Sequence, residues 1–320
     1  MAVNRDKPDR WKEDIAQSVD MYNTWFVQFA PEAYRTTRVQ TTKDVEATLK
    51  ATDNLRDIGV ALLKANPGVL PTLRMSACPL LAVDRLIGLA GVSKNLVKVM
   101  EKEGKLPPRM PQSKLDGDLT KIGATIKKMA DPDIFVWLES GDSPSKQELY
   151  RAATIVADRL CGATANPIIR NAQEERQLAA ICDWLTSIDY ENVPAGVGTK
   201  YDEMQPGTFS FRLNVPVEQE GTDKSLNIPV DAVVMPKSAR VGELPLLIEA
   251  KSAGDFTNVN KQRKEEATKM RQLCWTYGQE VRFILFLCGY FDSGYLGYEA
   301  AEGIDWVWEH RIDDLGELGL

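Results

Sequence analysis

The sequence predicts an α+β protein, with a helical N-terminal region followed by a mixed β-sheet flanked by helices. Three observations carry that expectation. Apolar residues in the first half recur at helical spacing, as in Trp11, Ile15, Val19, Tyr22, Trp25 or Phe26, and Phe29. In the second half Phe209, Phe211, Leu213, Val215 and Val217 alternate strictly with other residues, which is the period of a half-buried strand. Leu244–Ala250 is a continuous apolar run, typical of a central strand, and Val281–Cys288 reads as another buried strand.

Along the chain, Val45, Leu49, Leu55, Ile58 and Leu62 continue the helical pattern until Pro67, Pro71 and Pro79 interrupt it. Leu81–Leu89 reads as another helix. Gly91-Val92-Ser93 follows as a turn, and Ser93 is the N-cap of a helix through Leu96, Val99 and Met100 that Gly104 and Pro107-Pro108 end. The outline over Val83–Leu106 is that of a helix-turn-helix. Lys94, Asn95 and Lys98 would point outward from it and are candidates for tracking or reading DNA. Residues 94–128 hold nine Lys and Arg against four Asp and Glu, which favours that role. A plain helical hairpin within a bundle has the same pattern. The character of the chain changes near Ala163–Pro167. A helix from about Asn171 to Ile188 is expected next, then strands at 209–217, 230–235 and 244–250, a charged helix over Lys261–Tyr277, and the strand at 281–288. The expected division is a helical recognition or scaffold region over 1–163 and a sheet domain over 164–320.

Composition narrows the chemistry. With 320 residues, 43% of them hydrophobic, the chain can bury a full core. No apolar run approaches a membrane span. The opening MAVNRDKPDRWKED is too polar for a signal peptide, so a cytoplasmic location is expected. Five cysteines with no CxxC pair argue against a disulfide or zinc framework. His310 is the single histidine, which rules out a three-histidine metal site or a two-histidine mechanism. The net charge is -7, unevenly spread: 24 Lys and Arg against 21 Asp and Glu in residues 1–160, and 15 against 25 beyond. By itself that balance favours a protein without a nucleic-acid partner. A metal-dependent nuclease can nonetheless be acidic, because its carboxylates bind cations that in turn bind phosphate.

The chemistry-bearing segment is Pro229-Val230-Asp231, followed after a turn near Gly242 by Glu249-Ala250-Lys251. These charges sit in or beside the most apolar strands, where a charge is costly unless paired or bound to metal. Glu249 and Lys251 lie two apart on one strand and so face the same side. A hairpin at Gly242 would bring Asp231 beside Glu249. Carboxylates suit a hard cation that acidifies a bound water and neutralises phosphate charge. A nearby lysine can orient or deprotonate that water and stabilise the pentavalent transition state. An ordinary cross-strand ion pair at a sheet end uses the same residue types.

The block PVDAVVMPKSARVGELPLLIEAKSAGDFTNVNKQRKEEATK resembles the active-site segment of PD-(D/E)xK nucleases, and in particular type II restriction endonucleases of the XamI kind. CPLLAVDRLIGLAGVSKNLVKVMEKEGKLP is similar to the helical part of that family. One departure is that the usual Pro-Asp dipeptide is here Pro229-Val230-Asp231. The resemblance implies a restriction-endonuclease-like core and a Mg²⁺-dependent enzyme that cuts double-stranded DNA at a specific site, leaving 5′-phosphates. It further implies a homodimer on a palindromic site, with a cognate DNA methyltransferase as companion. In that frame Asp231 and Glu249 are metal ligands and Lys251 is the catalytic lysine. Members often add an acidic residue from the helix before the first strand. Glu174 and Glu175 hold that place here, and Glu174 extends the buried stripe of Leu178 and Ile181. A solvated first-turn glutamate accounts for it equally. Lys261, Arg263 and Lys264, at the start of the helix after the EAK strand, are candidates for phosphate contact. Two other functions fit the same residues: a repair or junction nuclease with the same chemistry, and a non-catalytic helix-turn-helix DNA-binding regulator.

Overall fold

A computed structural model describes residues 2–195, 200, 201, 203–218, 225–240, 242–257 and 259–320; the side chains of residues 260–263 lie outside that set. The chain forms two compact units, one of Met1–Phe29 with Arg170–Leu320 and one of Ala30–Ile169. The first unit thus includes an N-terminal segment that a division at residues 163 and 164 groups with the helical region. Two long helices, α1 (Pro8–Ala51) and α8 (Lys146–Ser187), each contribute to both units. They run through Pro31 and Pro167, although each interior proline forfeits a backbone hydrogen bond. No helix among the described residues is long and apolar enough to cross a membrane.

In the helical unit, α2 (Val60–Ala65), α3 (Leu70–Met75), α4 (Val83–Ala90), α5 (Lys94–Glu103), α6 (Gln112–Met129) and α7 (Trp137–Ser140) lie between the two long helices in sequence. Their shared core is built from leucines and isoleucines such as Leu63, Leu73, Leu96, Leu119 and Ile126, with Phe135 and Trp137. Gly91 ends α4 in the left-handed conformation, φ +61°, and its N–H donates to the Ile87 carbonyl at 2.9 Å. Ser93 caps α5 by accepting from Leu96 N, while its own N–H donates to Asp118 Oδ2 at 3.0 Å. The helix–turn–helix expected over Val83–Leu106 is therefore present as α4 and α5, and Lys94, Asn95 and Lys98 are exposed on it.

The other unit holds a mixed six-stranded sheet flanked by helices, as the sequence predicts. Its strands are β1 (Glu191–Asn192), β2 (Thr208–Glu218), β3 (Ser225–Met235), β4 (Leu246–Ala253), β5 (Arg282–Gly289) and β6 (Asp305–Trp308), in that spatial order. β2, β3 and β4 are antiparallel neighbours, whereas β4, β5 and β6 are parallel. The parallel part requires crossovers, which α9 (Val259–Tyr277) and α10 (Ser293–Ala301) supply. Leu247, Leu285, Leu287, Trp306 and Trp308 pack on one face with Leu273 of α9 and Tyr295 of α10. Leu246, Ile248, Ile284, Phe286 and Val307 pack on the other with Leu178, Ile181 and Leu185 of α8.

The unbroken alternation expected along β2 is not what forms. Phe209 and Phe211 join the α8 side, but Leu213, Val215 and Val217 join the α9 side, although all are two apart. The register steps from Phe211–Ala232 directly to Leu213–Val230. Between those pairs Arg212 adopts φ +54°, a left-handed conformation that costs a non-glycine residue on the order of 1 kcal/mol. β3 changes face at the same level: Ile228 and Val230 lie on the α9 side, Ala232 on the α8 side. The residue at that break on β3 is Asp231.

At the far end of β4 and β5, Gly289 pairs with Ala253 and has φ +101°. A Cβ there would stand 2.2 Å from the Ala253 carbonyl oxygen, which already accepts the Tyr290 N–H at 2.9 Å. Gly289→Ala should therefore destabilise the protein by about 2–4 kcal/mol, from combined backbone strain and overpacking. Urea unfolding with an unchanged m-value checks it; a loss below about 1 kcal/mol would mean that the strand ends separate at little cost.

Candidate active site

A cleft of about 310 Å³ opens where β3 and β4 meet α8. Its lining includes Gln173, Glu174, Gln177, Asp231, Glu249, Lys251 and Ser252. The backbone brings the two carboxylates together. Ala232 pairs with Ile248, so Asp231 and Glu249 stand one step beyond the last antiparallel pair. There the Asp231 side chain takes over from the ladder, and its Oδ2 accepts the Ala250 N–H at 2.9 Å. Glu249 and Lys251 follow Leu247 with the strand period, so their side chains leave β4 on the α9 side. On the α8 side Gln177 is buried, and its amide donates to the Lys251 and Phe286 carbonyls at 3.2 and 3.1 Å. One glutamine thereby fixes β4 and β5 to the helix at the level of the site.

Glu249 is 5% exposed and carries most of the polar contacts. Its Oε1 accepts from Lys251 Nζ at 2.9 Å and from Lys269 Nζ at 2.6 Å. Its Oε2 is buried and accepts no hydrogen bond among the described residues. Lys251 Nζ also lies 3.4 Å from Glu266 Oε1, and Glu266 Oε2 accepts from Tyr295 OH at 3.3 Å. Burial, then the Glu249 charge, push the Asp231 carboxyl up to about 6, against the Ala250 N–H and Lys251, which pull it down. Burial pulls the Lys251 ammonium down, but Glu249 and Glu266 outweigh it, and the net shift is upward. Burial raises the Glu266 carboxyl, partly offset by Lys251.

These donors fit a hard divalent cation. Glu249 offers a buried oxygen with nothing bound to it, and Asp231 lies beside it. No group of three or more His, Cys, Asp or Glu side chains that could hold a metal occurs among the described residues. A pair of carboxylates is nonetheless the protein share that Mg²⁺ commonly takes, with water and phosphate oxygens completing the shell.

Asp231, Glu249, Lys251 and Glu174 of the sequence candidates are thus brought to one cleft. Glu174 also bonds Arg212 Nη2 at 2.9 Å, so this carboxylate is shared with the residue at the β2 break. Glu175 is exposed. Lys94, Asn95 and Lys98 are on α5 of the helical unit, and Lys264 is exposed on α9. The side chains of Lys261 and Arg263 lie outside the described residues. His310 is 3.6 Å from Asp14 and is not part of the cleft lining. Sequence reading missed Glu266, Lys269 and Tyr295. A signal for Glu266 existed: it falls seven residues from both Val259 and Leu273, in the buried stripe of α9, where a charge needs a partner.

In metal-free protein the Asp231 carboxyl should titrate with a midpoint of about 6. Glu249→Gln removes the neighbouring charge, so the midpoint should fall toward the ordinary 3.8 yet stay above it, because burial persists. Carbon-13 NMR of the aspartate side chain follows both. By linkage a raised carboxyl favours the fold most at low pH, and this contribution is lost as pH rises from 3.8 through about 6. A midpoint in the normal aspartate range would refute the packing of Asp231 against Glu249.

Known proteins resemble this chain over most of its length. A family model described as XamI restriction endonuclease matches residues 53–308. The type II restriction enzyme SalI of Streptomyces albus G is 54% identical over 317 residues, spanning 99% of both chains. A solved structure, protein VC1899 from Vibrio cholerae, shares 11% identity with a TM-score of 0.29, over 88% of this chain and 56% of that one.

Proposed function

The chain belongs to the XamI restriction endonuclease family and is a type II site-specific endonuclease, and from that premise we propose that it hydrolyses double-stranded DNA with Mg²⁺ at Asp231, Glu249 and Lys251. The observation that carries this reading is the convergence of those three side chains in one cleft, with a buried, unbonded oxygen on Glu249. Asp231 and Glu249 would hold the cation, which when bound supplies an acidified water and charge neutralisation at the scissile phosphate. Lys251 would donate to the oxygens that gain charge as the phosphorus becomes five-coordinate, and orient the attacking water. Cleavage leaves a 5′-phosphate. Glu174 would complete the acidic wall, directly or through water, from its bond with Arg212.

Two copies of the chain would act on a palindromic site, and a methyltransferase of the same specificity would protect host DNA. Incubation with plasmid and phage DNA plus Mg²⁺ tests the activity: discrete bands are expected, whereas smearing or intact DNA would count against site-specific cleavage. Sedimentation with DNA tests the dimer.

Lys251→Ala should abolish cleavage while DNA binding measured in Ca²⁺ survives. Asp231→Ala and Glu249→Ala should lose cleavage together with Mn²⁺ binding by calorimetry, since both carboxylates serve one ion. Either carboxylate variant keeping both properties would remove that residue from the metal site. Removing Lys94 and Lys98 together should weaken binding and flatten the slope of log K against log salt by up to roughly two units, at about 0.9 per phosphate contact, with turnover of bound DNA little changed. An unchanged slope would reduce α5 to scaffold.

A further inference from the structure

Lys251 has one positive charge and two buried carboxylates to share it with, Glu249 at 2.9 Å and Glu266 at 3.4 Å. Glu249 is also the residue that a cation would claim. Its Oε1 meets two ammonium groups, those of Lys251 and Lys269. A divalent ion at Glu249 repels both. Lys269 comes from the face of α9 and reaches the Pro229 carbonyl at 3.5 Å, so its long side chain has other acceptors and partial access to solvent. Lys251 cannot leave in that way, because its stem rises from a central strand whose carbonyl Gln177 holds.

Glu266 is 1% exposed, and its other oxygen is tied by Tyr295, itself buried in α10. If hydrogen bonding to Tyr295 were all that this position required, a glutamine would supply it without the cost of burying a charge. We propose that Glu266 is a positioning residue that holds the Lys251 ammonium in line when Glu249 is committed to the cation. The inference rests on Lys251 acting in cleavage as described above. Glu266 does not touch the phosphate; it acts through Lys251, and Tyr295 fixes its rotamer.

The test uses the full chain on a phage DNA that the wild type cuts, with Glu266→Gln, Glu266→Asp and Lys251→Ala measured side by side. Single-turnover cleavage in Mg²⁺ at saturating protein, DNA affinity in Ca²⁺ and the thermal midpoint are read for each. Glu266→Gln should slow cleavage by about tenfold to a hundredfold, the scale of a misplaced reacting group, with DNA affinity and thermal midpoint held. Glu266→Asp, which keeps the charge, should recover part of the rate. A Glu266→Gln rate within about twofold of wild type, alongside an inactive Lys251→Ala, would overturn this inference alone. Equal losses of rate, affinity and thermal midpoint in both Glu266 variants would also overturn it, by making the role structural. Cleavage surviving in Lys251→Ala would instead overturn the assignment of Lys251, and the role of Glu266 with it.

Discussion

A carboxylate in the middle of an apolar sheet has to be compensated, and the arrangement around Glu249 follows from that need. Its neighbours Ile248, Ala250 and Leu285 on β4 and β5 have apolar side chains that offer the charge no partner. Two lysines supply the compensation, one from the same strand and one from α9. Each of those lysines then requires that its own helix or strand be held in place. Gln177 does this for β4, and Leu273 and Val259 do it for α9 by packing on the sheet. The fold at this level is organised around one buried charge.

Burial comes first in raising the Asp231 carboxyl, and the neighbouring Glu249 charge adds to it. Three acidic groups, Asp231, Glu249 and Glu266, surround two ammonium groups at close range. The rise at Asp231 is opposed by one backbone N–H and by Lys251, which only partly offset it. A divalent cation would reverse the balance, since it would draw on the excess of carboxylates as ligands. A raised carboxyl of this kind is one that a bound cation would relieve.

Much of this was legible in the sequence. The spacing of Glu249 and Lys251, and the turn near Gly242, were enough to bring Asp231 and the EAK strand together, because strand alternation is a strict two-residue rule. The helical first half was legible too, although the change of character expected near Ala163–Pro167 falls inside α8, which continues through Pro167. What alternation could not reveal was the change of face at Arg212 and Asp231, since a left-handed arginine leaves no mark in a pattern of apolar residues. Glu266 and Lys269 were hidden for a different reason. Lysine and glutamate three or four apart on a helix look like solvated pairs, and only the packing of α9 against β4 turns them inward. The long-range bond from Gln177 to two strand carbonyls depends on tertiary contact alone.

The N-terminal segment meets β6 through Asp305, whose carboxylate accepts the N–H groups of Asn4 and Arg5 at 3.0 Å as well as that of Val3. The groups joined there are 300 to 302 positions apart, and everything in the helical unit is synthesised between them. The helical unit has its whole core once residue 169 is made, whereas the sheet unit must await its final strand. Contacts of such long sequence separation are the last to repay their closure entropy. For an enzyme that breaks DNA the order matters: the unit that holds the Asp231–Glu249 cleft cannot close its N-terminal segment onto β6 until Asp305 has been made, well after the sequence of the helical unit.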